Sequence, residues 1–241
     1  MMLAFCGVHL FIGRLRWLDR TPRSRWLSFA GGVAVGYVFL HILPELGAHV
    51  SVFEQGTAFK ADTAVAWLYS LSLGGLALFY GLERALEQSR TQFTGGAQDE
   101  TPHEAVFWVH IGASCTLIAI VSYLLNHRED MSTSGLTLYF AAMTLHFVTA
   151  DYGSRTHHPR LYDKRGRYVL VAATLGGWLT GLLVTLPEIV IGCLFAFVAG
   201  GIILLVLKEE LPAERESAFA PFLAGALLYA GLVLAQAHLA E

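Results

Sequence analysis

Seven windows of about 20 residues contain no Asp, Glu, Lys or Arg, and nothing else in the chain limits its fold so strongly. They are residues 26–44, 63–82, 105–126, 131–150, 168–187, 189–207 and 217–240. A helix needs about 20 apolar residues to cross about 30 Å of hydrocarbon, so each window is long enough to span a bilayer. Residues 1–13 form an eighth, shorter window. The chain is 55% hydrophobic and only 15% charged, which excludes an ordinary soluble domain. The expected fold class is an all-α polytopic membrane protein with eight transmembrane helices, over about 1–18, 26–48, 63–86, 105–126, 133–151, 168–186, 189–208 and 218–239. A secretory signal peptide is the rival reading of the first segment. Arg14 and Arg16 follow its apolar part instead of preceding it, and no small-residue cleavage site is present, so it reads as a thin first span.

Lys and Arg are retained on the cytoplasmic side of a membrane. With the N-terminus outside, fourteen of the sixteen basic residues fall on the inner side and only Lys60 and Arg128 outside. Both termini are therefore expected outside, with loops 13–25, 87–104, 152–167 and 208–217 cytoplasmic. Such a protein is an integral membrane protein, of the inner membrane if bacterial. Residues 88–104, rich in Gly, Thr, Gln and acids, read as a cytoplasmic linker between a three-span block, 1–87, and a five-span block, 105–241.

Cys6, Cys115 and Cys193 all lie in apolar windows and read as small packing residues, not a disulfide framework. No zinc-finger spacing, phosphate-binding glycine motif or nucleophile elbow occurs. The expectation is a protein that is not an enzyme and holds no permanent cofactor. Its partner is the lipid bilayer, a homodimer is compatible with it, and nucleic acid is not expected.

Small residues recur four apart, as Gly32 with Gly36, Gly177 with Gly181, and Gly192, Ala196 and Gly200. On a helix they share a face, where backbones approach closely and dispersion replaces the hydrophobic drive that lipid does not supply. Two longer stretches echo one another: FAGGVAVGYVFLHILPEL at 29–46 and FVAGGIILLVLKEELPAE at 197–214. By the charge count they run in opposite directions across the membrane, as an inverted-topology repeat requires. The expected repeat relates spans 1–3 to spans 6–8 around spans 4–5, although the distance from the double glycine to the proline differs by one residue.

Ionisable groups within spans are expensive and mark candidate functional sites. His110 in span four and His146 in span five both fall in the inner half, which lets them face one another. Two imidazoles with a carboxylate make a partial shell for a zinc, manganese, iron or copper ion, so His110, His146 and Asp151 are the candidate metal ligands. Asp151 is spaced from Arg155 as i and i+4, which also suits an interfacial ion pair. His41, Pro44 and Glu45 end span two as either a polar outer vestibule or a packing hydrogen bond, with Pro44 kinking the helix there. Glu209 and Glu210 read as solvated charges at a helix end, and His103, His157 and His158 as loop histidines.

The stretches GGVAVGYVFLHILPE, FYGLERAL and AFVAGGIILLVLKEELPAE resemble the ZIP family of zinc and iron transporters. The resemblance implies eight spans, both termini outside, a variable cytoplasmic loop after span three, and an inverted relation between the outer blocks. The family's span four carries His-Asn-x-x-Asp; here His110 keeps the His, while Ile111 and Ser114 stand at the other two positions. Its span five carries His-Glu-x-x and then His or Glu; here His146 keeps the first, Phe147 and Ala150 replace the others, and Asp151 comes one residue late. Span six has no carboxylate. The chain thus reads as a divergent member with most transport ligands replaced.

Three functions stand as expectations. The first is transport of a divalent metal ion, zinc foremost, by alternating access between spans 4 and 5. The second is a ZIP-fold protein without metal transport, with a regulatory or assembly role or a different solute. The third is an intramembrane metal-dependent hydrolase using His110, His146 and Asp151, which lacks a third histidine at matching depth.

Overall fold

The computed structural model describes residues 1–15, 25–56, 60–93, 101–127, 133–210 and 218–240. These form eight helical rods, with no strand among them. Rod one is α1 (Met2–Phe11), prolonged by a 3-10 turn at Ile12–Arg14. Rod two is α2 (Arg25–Tyr37), a π-helical turn at Val38–Ile42, and α3 (Leu43–Gly56). Rods three, four and five are α4 (Ala61–Phe93), α5 (Thr101–Leu124) and α6 (Thr133–His157). Rod six is α7 (Pro159–Leu161), a second π turn at Tyr162–Gly166, and α8 (Arg167–Leu183). Rods seven and eight are α9 (Glu188–Glu210) and α10 (Phe219–Ala240).

Five of these helices, in rods two, three, four, seven and eight, are long and apolar enough to cross a membrane. The molecule is thus compatible with an integral membrane protein. Large apolar side chains such as Leu3, Leu73, Leu183 and Leu227 stand exposed, a surface that suits hydrocarbon and not water. Rod one is short and apolar.

Two expected loops are largely helical among their described residues. In the linker expected over 88–104, α4 continues to Phe93 and α5 begins at Thr101. Residues 152–167 likewise hold the end of α6 and the start of rod six. The break between rods five and six falls at His158, where Pro159 takes the first position of a new helix, a place that needs no backbone N–H. Rod two departs from its expected form too: the irregularity is the π turn at Val38–Ile42, which precedes Pro44. A proline in a helix removes a backbone hydrogen bond and crowds the turn before it, and a π turn is one way to absorb that.

The small residues do what their spacing predicts. A Cβ on Gly32 would strike the Phe222 carbonyl, and one on Gly225 would strike the Phe29 carbonyl, so rods two and eight touch backbone to backbone. The same exchange joins rods seven and three, where Gly200 meets the Ser72 carbonyl and Gly75 meets that of Phe197. Gly177 and Gly181 let rod six approach Ala119 and Tyr123 of rod four. Ser28 with Ala218 and Gly36 with Tyr229 show that rods two and eight run parallel. Phe5 against Phe140 and His9 against Asp151 show the same for rods one and five.

The rods therefore pack in pairs. Rod two packs on eight, three on seven, four on six and one on five.

Candidate functional site

Two clefts lie between rods four, five and seven, one at each end of the bundle. The walls of the first include His110, His146, Asp151, Glu83, Ser114 and Ser154. The second is lined by Glu45, His49, His127, Tyr37 and Tyr139 among others. Along rod four the first cleft takes residues up to Ile118 and the second begins at Val121; along rod five the boundary lies between Met143 and His146. Rod seven divides between Ile202 and Leu204. Ile118, Val121, Met143 and Ile202 are all buried, so an apolar belt separates the two chambers. The first cleft is built from the beginning of rod four and the ends of rods three, five and seven, which places those chain ends on one side of the bundle.

All three residues expected from the sequence line the first cleft. The His110 Nε2 shares a 3.1 Å hydrogen bond with Ser154 Oγ, and its Nδ1 lies 3.6 Å from Glu83 Oε1. Ser114 is occupied locally, donating to the His110 carbonyl one turn back. His146 is only 4% exposed, and its imidazole has no hydrogen-bond partner among the described residues. A buried polar group left without a partner costs free energy, so the imidazole is set up to meet a water or a bound solute in the cleft.

Asp151 is not paired with Arg155, contrary to the i, i+4 expectation. His9 Nδ1 donates to its Oδ2 at 2.6 Å, and both side chains are buried. Arg155 instead forks onto Asp163, with Nε donating to Oδ1 at 2.8 Å and Nη2 to Oδ2 at 2.9 Å. The rise of one turn from Asp151 to Arg155 carries the guanidinium out of the bundle, and the π turn at Tyr162–Gly166 brings Asp163 to meet it. Tyr162 is fully buried beside the His9–Asp151 pair. Burial, and then the neighbouring Asp151 carboxylate, push its phenol above the ordinary range, so it stays protonated as a donor.

Comparison with protein-family models, with curated proteins and with solved structures finds no match to this chain. Among the described residues, no group of three His, Cys, Asp or Glu side chains is placed to hold a metal ion. His110 and His146 do share a cleft with Asp151, yet Asp151 is held by His9 and His110 by Ser154.

Span two's polar end resolves into both expected readings. His41 Nδ1 shares a 2.9 Å hydrogen bond with Tyr229 Oη, a packing contact to rod eight. Glu45 lines the second cleft. The side chains of His103, His157, Glu209 and Glu210 lie outside the described residues. The three cysteines are free, Cys6 buried and the other two half-buried, as packing residues would be.

Sequence reasoning passes over His9, Glu83 and His49. His9 sits in the thin first rod, and its partner is 142 residues away, so no local spacing marks it. A signal does exist: it is the one ionisable residue in the apolar part of that rod, and such residues are expensive there. Glu83 lies in FYGLERAL beside Arg84, where it has the look of an ordinary charge at a helix end.

Proposed function

We propose that the protein is an eight-span membrane transporter with a ZIP-like inverted frame, moving a small polar cargo between its two clefts by alternating access. The observation that carries this reading is the pair of clefts at opposite ends of rods four, five and seven, each mostly apolar but holding several ionisable side chains, divided by Ile118, Val121, Met143 and Ile202. A carrier needs a site reachable from each side and a barrier that never leaves both open, and opening one chamber while closing the other requires only that rods slide across this belt. The parallel pairing of rods two with eight and one with five supports eight traverses, and the matched glycine crossings support the inverted relation.

The cargo we assign first is a divalent metal ion of the zinc class. His146, buried and with open nitrogens, is the leading ligand, joined by His110 and by Asp151 once the latter leaves His9. The orientation expected from the Lys and Arg count puts the first cleft, with its neighbouring arginines, on the cytoplasmic side in this reading. The test is metal binding by the purified protein in detergent. Saturable zinc or manganese binding that is lost in His146→Ala is the expected result; unchanged binding in that variant removes His146 from the site.

A second reading is a ZIP-like protein that moves no metal and serves a regulatory or assembly role or carries a different solute. It is favoured by the engagement of Asp151 and His110 within the protein and by the lack of a three-ligand group among the described residues. Metal binding that never exceeds that of the His110→Ala, His146→Ala variant would support it.

A further inference from the structure

A third cleft opens outside the transport pathway, between the end of rod one and the start of rod six. Its walls carry three arginines, Arg14, Arg155 and Arg167, against one carboxylate, Asp163. That carboxylate is fully engaged, since both its oxygens accept from Arg155. Gly13 makes room for this pair, because a Cβ there would lie 2.8 Å from Arg155 Nε. Arg14 and Arg167 are left with no carboxylate among the described residues.

Their surroundings hold the two guanidiniums in place without neutralising them. The Arg14 guanidinium carbon sits 4.9 Å above the Phe11 ring and that of Arg167 4.7 Å from the Tyr168 ring. Arg167 Nη2 donates to the Tyr168 hydroxyl at 2.8 Å, while its buried Nε has no acceptor among the described residues. Guanidinium forks match the geometry of phosphate oxygens, so two guanidiniums without a carboxylate on the wall of one cleft suit an anion.

The depth of the cleft narrows the ligand. Phe11 and Tyr168 flank it with about half their surface exposed, next to the apolar face that carries Leu3. Aromatic side chains with exposed rings beside basic residues are the arrangement found where hydrocarbon gives way to headgroups. We propose that this cleft binds a phosphate group, that of an anionic phospholipid headgroup or free inorganic phosphate, with Arg14 and Arg167 as its ligands.

The test uses the full chain purified in detergent, titrated with short-chain phosphatidylglycerol, short-chain phosphatidylcholine and inorganic phosphate, following thermal stabilisation and affinity. Phosphatidylglycerol is expected to bind saturably and phosphatidylcholine not to. Arg14→Gln and Arg167→Gln should each weaken binding about fivefold, the scale of one basic residue at an anionic surface. Arg14 is exposed, so Arg14→Gln alone carries the test if Arg167→Gln disturbs folding. Arg160→Gln, exposed on α7 and off the cleft, should bind as the unaltered protein does. Competition by inorganic phosphate with the same arginine dependence would support the site and name free phosphate as its ligand. Equal saturable binding of the two lipids, no binding of either phosphatidylglycerol or phosphate, unaltered affinity in the double variant, or an equal loss in Arg160→Gln would overturn it.

Discussion

His9 and Asp151 close a buried contact of 2.6 Å between the first rod and the fifth. Both side chains are buried, and each would lose its charge-complementary partner in a low-dielectric interior if the other were removed. Breaking such a pair from one side costs about 3–5 kcal/mol, more than the pair itself contributes. His9→Ala and Asp151→Ala should therefore each lower the unfolding midpoint in detergent strongly. The double variant should cost less than the sum of the two, by about 0.5–3 kcal/mol. Additive effects would mean that the contact carries no coupling and that rod one is held by its apolar packing alone.

Neighbouring glycines in rod three should respond oppositely to the same change. Gly75 faces the Phe197 carbonyl with no space for a methyl group, whereas nothing lies within 4 Å of the Cβ position on Gly74. Gly75→Ala should destabilise by about 1–3 kcal/mol as the backbones are forced apart. Gly74→Ala should be neutral or stabilising by about 0.5–1 kcal/mol, because alanine restricts the unfolded chain. Thermal melts of the two variants decide it; equal melting temperatures would contradict the backbone-to-backbone crossing of rods three and seven.

The turn between rods six and seven hangs on a single phenol. Tyr123 donates to the Val184 carbonyl at 3.2 Å and accepts from the Leu186 N–H at 3.0 Å. Asn126 and His127 add hydrogen bonds to the Trp178 and Gly181 carbonyls nearby. Tyr123→Phe keeps the ring and removes both bonds, for a loss of about 1 kcal/mol. Amide exchange at Leu186 should speed up in that variant, and unaltered exchange would show that the turn is fixed by other contacts.

How much of this is legible in the sequence depends on how local each signal is. The neutral windows and the glycine spacings are local, and they anticipate the helical rods and the tight crossings correctly. His110, His146 and Asp151 can be placed in one cleft because depth within a span is found by counting residues along it. The His9–Asp151 contact and the Arg155–Asp163 fork are not legible, since they depend on which rods become neighbours and on a π turn that re-aims Asp163. Residues 152–167 carry charge enough to read as a loop, yet helix runs on both sides of the break at His158, because Arg and Lys are good helix formers where they meet water.

The most direct test of the transport account is flux of zinc, manganese, iron, cobalt and cadmium into proteoliposomes, run beside the His110→Ala, His146→Ala variant and empty vesicles. The account predicts protein-dependent uptake of at least one ion that the double variant loses while remaining folded. Flux no greater than that of empty vesicles for every ion, or flux that survives loss of both histidines, would contradict it.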